Sequence, residues 1–180
     1  MKTCGPCTLC CQVLEIPELA KPAGRLCRHA SVGCAIYPDR PAPCRTFTCG
    51  WMATPELDEA WRPDIAGFLI RDERADGFLC IDVDPARPDA WRVEPYFAQI
   101  KIWSRMVHER TGCVLVYAGP EVTVVFPEED LILGPLDPAP RLTVGYIRRD
   151  GARRPLVRLL QDGEVAREWI GASALISGGS

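Results

Sequence analysis

The chain has 180 residues, of which 47% are hydrophobic and 25% charged, and its formal net charge is -3. This composition is typical of a globular protein with one domain, or with one domain and a small appendage, and the charge gives no reason to expect nucleic acid or a membrane surface as a partner. Because no stretch approaches the roughly 18 apolar residues of a membrane span, and the N-terminus lacks the apolar core of a secretory signal, we expect a cytoplasmic protein.

Most of the cysteines lie in the first 50 residues. Eight of the ten are found there, at Cys4, Cys7, Cys10, Cys11, Cys27, Cys34, Cys44 and Cys49. Cytosolic thiols are kept reduced, so this density favours metal binding or catalysis over structural disulfides. The same segment is rich in proline and glycine and predicts little beyond a short helix after Pro17. A bound metal would supply the folding free energy that such a segment lacks.

The stretch Cys4-Gly5-Pro6-Cys7 carries the four letters of a thioredoxin active site. In that active site the first cysteine follows a buried strand and begins a helix, whose dipole lowers the thiol pKa. Only three residues precede Cys4, and no βαβ alternation follows, so the context of a redox motif is missing. Two interlocked CxxC steps are instead typical of thiolates that turn toward one ion. We therefore interpret all eight N-terminal cysteines as candidate metal ligands.

The number of thiols leaves the number of sites open. Neighbouring residues of an extended chain point to opposite faces, so Cys10 and Cys11 are not expected to bind the same small ion. Eight thiols then suit two four-thiolate sites or one binuclear site; the alternative is one such site with spare buried cysteines. Soft thiolates suit zinc and iron–sulfur clusters alike, and the ferredoxin run is not reproduced after Cys10. We predict zinc or an iron–sulfur cluster as the cofactor.

Four arginines are interleaved with these cysteines, at Arg25, Arg28, Arg40 and Arg45. A divalent ion with four thiolates carries two net negative charges, which guanidinium groups would stabilise by hydrogen bonds to sulfur. The alternative is that they are solvated surface residues. His29, two residues from Cys27, is an alternative imidazole ligand.

Beyond Gly50 the hydrophobic pattern becomes regular. Alternation in residues 67–73 and 77–84 predicts two strands of a hairpin, and residues 113–119 and 122–127 predict a second hairpin around Gly119-Pro120. We expect the body, residues 51–126, to be antiparallel strands covered by one helix.

That helix is predicted from an apolar face of Phe97, Ile100, Trp103 and Val107. Pro95 suits its first turn and Gly112 its C-terminal cap. Cys80 and Cys113 fall in predicted strands and are interpreted as core residues. Asp82 and Asp84 are expected on a solvated strand face rather than at a functional acidic edge, and His108 near the helix end is expected to meet the helix dipole.

Residues 130–140 contain three prolines and are predicted to be a connector. Residues 139–176 beyond it predict three short strands with Asp-Gly turns, a C-terminal β-strand extension. The predicted fold class is therefore α+β. A small irregular Cys-rich metal-binding module (1–50) packs on antiparallel strands with one main helix (51–126), forming one domain over 1–126, followed by the extension.

The cysteine spacing, Cys4-x2-Cys7-x2-Cys10-Cys11 followed by Cys27 and by GCAIYPDRPAPCRTFTC (33–49), resembles the YkgJ-like CxxCxxCC family, a zinc- or iron-chelating domain of bacteria. The second part matches at Cys34, Tyr37, Arg40, Pro41, Cys44, Arg45, Phe47 and Cys49. The resemblance covers roughly residues 4–50. It implies that the eight cysteines bind metal and that Tyr37, Arg40 and Arg45 support the site or act in it.

Two functions follow from the sequence. The first is a metal-binding protein that holds zinc or an iron–sulfur cluster, with no further activity assigned. Some relatives in the family are flagellin lysine N-methylases, which implies the alternative of a cluster-dependent enzyme, or a redox protein, acting on a protein substrate. The chain has no glycine-rich nucleotide loop, so the enzyme class is left open. The expected partners are the metal ion and, for the alternative, a protein substrate.

Overall fold

A computed structural model describes residues 2–73, 77–109, 112–136 and 141–172. In these ranges the helices are α1 (Leu9–Val13), α2 (Ala42–Thr46), α3 (Gly50–Ala53), α4 (Pro63–Ala66) and α5 (Tyr96–His108), with 3-10 turns at Pro17–Leu19, Glu59–Trp61 and Ala90–Arg92. The strands are β1 (Ala30–Ser31), β2 (Gly33–Cys34), β3 (Phe68–Glu73), β4 (Phe78–Val83), β5 (Cys113–Ala118), β6 (Glu121–Val125), β7 (Asp130–Pro135), β8 (Leu142–Arg149), β9 (Ala152–Gln161) and β10 (Glu164–Ile170). None of the described helices is long and apolar enough to cross a membrane.

The main sheet has five strands in the order β3-β4-β5-β6-β7. Both predicted hairpins are confirmed, since β3 pairs antiparallel with β4 and β5 antiparallel with β6. The prediction of an entirely antiparallel body is wrong at one position, because β4 and β5 are parallel, with Phe78 opposite Cys113. The cause is α5, which lies between these strands in the chain and carries it back across the sheet, as a parallel connection requires.

The predicted connector is also partly wrong, because its first half is strand β7, which pairs antiparallel with β6. Proline normally marks a break in a strand. Here Pro135 is the last residue of an edge strand, a position at which a missing N–H costs no ladder hydrogen bond. Leu133 of this strand is buried, with 3% of its surface exposed. The main sheet therefore continues beyond Phe126.

Helix α5 covers the sheet with the face that the sequence predicts. Ile100 is fully buried, and Phe97, Trp103 and Val107 pack against the same core. Its C-cap is Glu109 and not the predicted Gly112. Gly112 has another role, since a Cβ there would lie 2.1 Å from the carbonyl oxygen of Gly77. Only glycine permits the two loops to approach this closely.

The C-terminal strands form a three-stranded antiparallel sheet in the order β10-β9-β8, which confirms the three predicted strands. Asp150-Gly151 and Asp162-Gly163 make the turns with positive φ at both residues, as two-residue hairpin loops require. This sheet packs on the main one, because Val157 of β9 and Phe126 are buried in one cluster. The chain thus folds as mixed α and β structure with two sheets rich in antiparallel pairs.

The cysteine-rich segment packs against β3. Leu9 and Val13 of α1 lie four residues apart and are buried in the same core as Phe68 and Ile70. Gly50, at the start of α3, lies so close to β3 that an added Cβ would be 2.7 Å from Cβ and Cγ2 of Ile70. The segment is therefore held on the sheet by apolar contacts as well as by the chain connection.

The close approach at Gly50 gives a direct test of that packing. We expect Gly50→Ala to lower the free energy of unfolding by about 1–3 kcal/mol, because the new methyl group overpacks the contact with Ile70. Gly145→Ala is the matched control, since a Cβ at Gly145 meets no atom within 4 Å. Urea unfolding of both variants measures the difference. Equal stability of the two would contradict the close packing of α3 on β3.

Candidate metal centre

The eight N-terminal cysteines come from five separate parts of the fold. Cys4 and Cys7 form a tight turn, in which the N–H of Cys7 donates to the carbonyl of Cys4 at 3.0 Å. Cys10 and Cys11 lie on α1, Cys44 lies on α2, and Cys49 immediately precedes α3. Cys27 and Cys34 flank the short β1–β2 hairpin. Tertiary packing thus brings together thiols that are up to 45 positions apart in the chain.

Cys4, Cys7, Cys10 and Cys49 line a small cavity of about 40 Å³ beneath the cysteine-rich segment. Its other walls are mainly apolar and include Trp51, Met52 and Leu69. The sulfur of Cys4 lies 3.4 Å from that of Met52. Lys2 fixes the adjoining chain, since its Nζ donates to the carbonyls of Trp51 at 2.8 Å and Thr54 at 2.5 Å.

Cys11, Cys27, Cys34 and Cys44 line a larger, open cleft of about 990 Å³. The backbone connects them: the N–H of Cys27 donates to the carbonyl of Cys11 at 2.9 Å, and the carbonyl of Cys27 accepts from Ala30 at 3.0 Å. Ala30 is in turn the strand partner of Cys34. Cys44 lies at the boundary of the two cavities, as do Cys4, Cys7 and Cys10, because all four line both.

Burial makes these thiols harder to ionise. It is the main cause of the raised pKa values of Cys7, Cys44 and Cys49, and neighbouring thiols act in the same direction. Near the Cys49 sulfur the backbone amides of Met52 and Trp51 oppose this effect. Deprotonated thiolates at these positions therefore need a compensating positive charge.

Cys10 and Cys11 contact each other directly, contrary to the expectation for an extended chain, because both are on helix α1. Their thiols form a hydrogen bond, which together with burial raises the pKa of Cys10. The same hydrogen bond lowers the pKa of Cys11 to about 7, and the charges of Lys21 and Arg40 contribute in that direction. Of the two thiols, Cys11 is thus the one that ionises more readily.

Lys21 was not singled out from the sequence. It is buried, with 6% of its surface exposed, and its Nζ donates to the carbonyls of Gln12, at 2.8 Å, and Leu14. Burial lowers its pKa, whereas neighbouring thiolates, that of Cys11 first, favour its charged form. Its only sequence signal is its position as the single lysine between Cys11 and Cys27.

Asp64, too, is not recognisable as a candidate from the sequence, because it belongs to the body rather than to the cysteine-rich segment. Its carboxylate forms a hydrogen bond with the thiol of Cys7 and accepts from Arg62 at 2.6 Å and 3.1 Å. Burial raises the pKa of Asp64, but the Arg62 guanidinium outweighs it and the net shift is downward. An ionised carboxylate therefore lies beside Cys7.

Of the four interleaved arginines, Arg40 is the one in the site. Its guanidinium stacks on the ring of Tyr37 at 3.7 Å and donates to the carbonyls of Tyr37, at 2.9 Å, and Cys44, at 3.2 Å. Arg25, Arg28 and Arg45 are exposed, as the alternative of solvated surface residues expects. His29 is half-buried.

The thiols lie near one another, but their side chains do not converge on one position for a metal ion. The eight N-terminal cysteines are free thiols. In the described ranges, no group of three or more His, Cys, Asp or Glu side chains stands in position to hold a metal ion. The chemistry of the donor set nevertheless fits zinc or an iron–sulfur cluster, which are the partners of clustered thiolates.

The wall of the cleft that faces the cysteines is formed by the main sheet. Arg71 of β3 and Asp82 of β4 form an ion pair there, with Nε–Oδ2 at 2.5 Å and Nη2–Oδ1 at 3.2 Å. Asp82 is buried, so the expectation of a solvated strand face is wrong for it. The reason is that β4 is an inner strand covered by the cysteine-rich segment. Asp84 lies beyond β4 and instead pairs with Arg87 at 3.2 Å.

Cys80 and Cys113 are confirmed as core residues. Each has 2% of its surface exposed, and both belong to the cluster between the two sheets. Burial raises the pKa of Cys113 strongly. Neither lines the small cavity or the cleft, so they serve as matched control positions for the other eight.

Comparison with known proteins does not assign this chain to a family. No protein-family model, no curated protein and no solved structure matches this chain. The likeness to the YkgJ-like family in residues 4–50 therefore stays a prediction.

Proposed function

We propose that this chain is a metal-binding protein of the YkgJ-like kind, which holds zinc or an iron–sulfur cluster through its eight N-terminal cysteines. The observation that carries the proposal is that free thiols from five parts of the chain line two adjoining cavities. Free cysteines of a core are commonly isolated small apolar residues. Eight thiols gathered in one place are instead typical of residues that share a ligand which binds thiolates.

Two cations support this proposal. Four thiolates around a divalent ion carry two net negative charges, and such a charge is costly to bury without compensation. Lys21 and Arg40 flank Cys11 and so provide two positive charges at this place. Besides donating to the carbonyls of Gln12 and Leu14, a lysine in this position would lower the cost of the negative charge of a metal-thiolate group.

In this proposal, metal binding itself brings the cysteine side chains together into a closed site. The thiols line the cavities without meeting at one point, so ligation requires rotation of cysteine side chains. Ligands are rarely fully preformed before metal binding, and the free energy of binding offsets the cost of ordering them. Residues 2–49 contain only helices of up to five residues and strands of two, so small adjustments there disturb little regular structure.

Anaerobic purification followed by elemental analysis and a visible spectrum tests the proposal. A colourless protein with bound zinc identifies the filled d shell of that ion, and a brown protein with iron and sulfide identifies a cluster. The proposal is overturned if the reduced chain holds no metal as purified and takes up neither zinc nor iron with sulfide in reconstitution.

A single substitution tests the ligand set. We expect Cys44→Ser to lower the bound metal by at least about half, because Cys44 lies at the boundary of the two cavities and serine is a poor ligand for soft metals. Cys113→Ser, in the core between the sheets, is expected to keep the full metal content. Unchanged metal in Cys44→Ser would remove this residue from the set.

The cleft favours a second candidate function, an enzyme or redox protein acting on a protein substrate, as lysine N-methylases do. Its volume of about 990 Å³ is that of a ligand pocket. Seven of the eight thiols line it, and the Arg71–Asp82 pair faces them. A reversible reduction of the bound group would favour this candidate, whereas a closed, redox-inert site favours a structural role.

A further inference from the structure

We infer that the eight thiols form two separate four-thiolate sites: an inner site of Cys4, Cys7, Cys10 and Cys49, and an outer site of Cys11, Cys27, Cys34 and Cys44. The inference rests on the proposed function, and it adds the membership and the different surroundings of each site. The number of thiols alone allows many other divisions into fours.

The inner set is defined by the small cavity. Cys49 lines this cavity and not the large cleft, which fixes one member unambiguously. Cys4 is tied to the same place, because its sulfur contacts Met52 of α3, the helix that Cys49 precedes. Cys7 follows from the turn that joins it to Cys4. Cys10 completes the set as the third thiol of the C-x2-C-x2-C run that lines the cavity.

The outer set is defined by the cleft and by the backbone. Cys11, Cys27 and Cys34 line the cleft and not the small cavity. They are connected through Cys27, whose N–H bonds to Cys11 and whose carbonyl bonds to Ala30, the strand partner of Cys34. Cys44 lines both spaces, and the neighbouring thiols whose charges act most strongly on it are those of Cys11, Cys27 and Cys34. It therefore belongs to the outer site.

The two adjacent cysteines explain why one short helix serves both sites. Consecutive residues of an α-helix are rotated by about 100° around its axis. Leu9 and Val13 direct one side of α1 into the core. Cys10 lines both the small cavity and the cleft, whereas Cys11 lines the cleft and not the small cavity. Their thiols still touch, so the two sites adjoin at this point of the chain.

The surroundings of the two sites differ in charge and access. The inner cavity has Trp51, Met52 and Leu69 in its walls, together with Arg40, which lines both spaces, and it has about 40 Å³ of free space. The outer site faces the open cleft, and Lys21 and Arg40 lie beside Cys11. A metal ion in the outer site is thus accessible to a competing chelator, whereas one in the inner site is shielded by apolar side chains.

Reconstitution of the reduced chain with cadmium tests the division, because cadmium is a thiolate-seeking substitute for zinc whose nucleus reports each site by NMR. We expect two cadmium ions per chain and two thiolate-type resonances. Cys49→Ser and Cys4→Ser should both abolish or shift the same resonance, and Cys34→Ser and Cys27→Ser the other. Cys113→Ser should keep both. A titrated chelator should remove the outer resonance first.

The division is overturned if the two variants of one set affect different resonances, if Cys49→Ser and Cys34→Ser affect the same one, or if the parent binds a single cadmium ion. A parent that binds no cadmium but takes up zinc, or iron with sulfide, overturns the division alone; a parent that takes up none of these metals overturns the proposed function itself, which is a distinct result. Circular dichroism separates misfolding from ligand loss, and because each site has two variants, one that does not fold leaves the other to decide.

Discussion

Removal of the bound metal by a strong chelator, under reducing conditions, is expected to release residues 2–49 while the sheets stay folded. The longest helices of this segment have five residues and its strands have two, and helices this short are marginal without external support. Structural zinc contributes on the order of 10 kcal/mol in small domains. Amide exchange in residues 2–49 should therefore accelerate by roughly 100-fold or more, whereas β5 and β6, in the buried core, should keep their protection.

Hydrogen exchange with mass spectrometry measures this result peptide by peptide. The control is the same chelator saturated beforehand with zinc, which leaves the solution conditions unchanged but removes no metal. Identical exchange with and without metal would contradict a structural role. It would instead favour metal storage or delivery, in which ions leave the site and the fold persists through apolar contacts such as those of Leu9 and Val13.

The elements that the sequence predicted correctly are those whose signal is local. The apolar spacing in α5 and the alternation in β3 to β6 follow directly from burial on one face, and the Asp-Gly pairs fix the C-terminal hairpins. The parallel pairing of β4 with β5 is a property of topology, which alternation does not encode. Strand β7 was missed because Pro135 suggested a break, although an edge position tolerates proline.

The residues of the candidate site also fall into two groups, those with a local signal in the sequence and those without one. The eight cysteines are recognisable from type and spacing, and Arg40 from its place among them. Lys21 and Asp64 were missed, because a lysine in a loop and an aspartate after a proline carry no special pattern. Their role depends on tertiary packing, which places Lys21 beside Cys11 and Asp64 beside Cys7. Asp82 was assigned to a solvated face because the cover over β4 comes from a distant part of the chain.

The ion pair on the cleft wall gives the largest expected effect of a single substitution on stability. Arg71→Leu is expected to lower the free energy of unfolding by about 3 kcal/mol, because it leaves the Asp82 carboxylate without its guanidinium partner. The Asp82 side chain is 13% exposed, and a loss of about 3 kcal/mol is the lower end of the range for breaking a buried ion pair. The double variant Arg71→Leu/Asp82→Leu should recover most of this loss, since it removes both charges together. Urea unfolding of the parent, both single variants and the double variant measures the coupling.

Arg158→Leu is the matched control for this cycle. Arg158 also pairs with a carboxylate on a neighbouring strand, that of Glu168 at 2.6 Å, but the two side chains are 38% and 35% exposed. An exposed pair contributes at most about 1 kcal/mol, so its loss should cost clearly less than that of Arg71. If both variants cost the same, or if the double variant is as unstable as Arg71→Leu, burial of Asp82 is not what gives the pair its strength. The cleft wall opposite the thiols would then tolerate charge, as expected for a surface that exchanges contacts with a polar ligand.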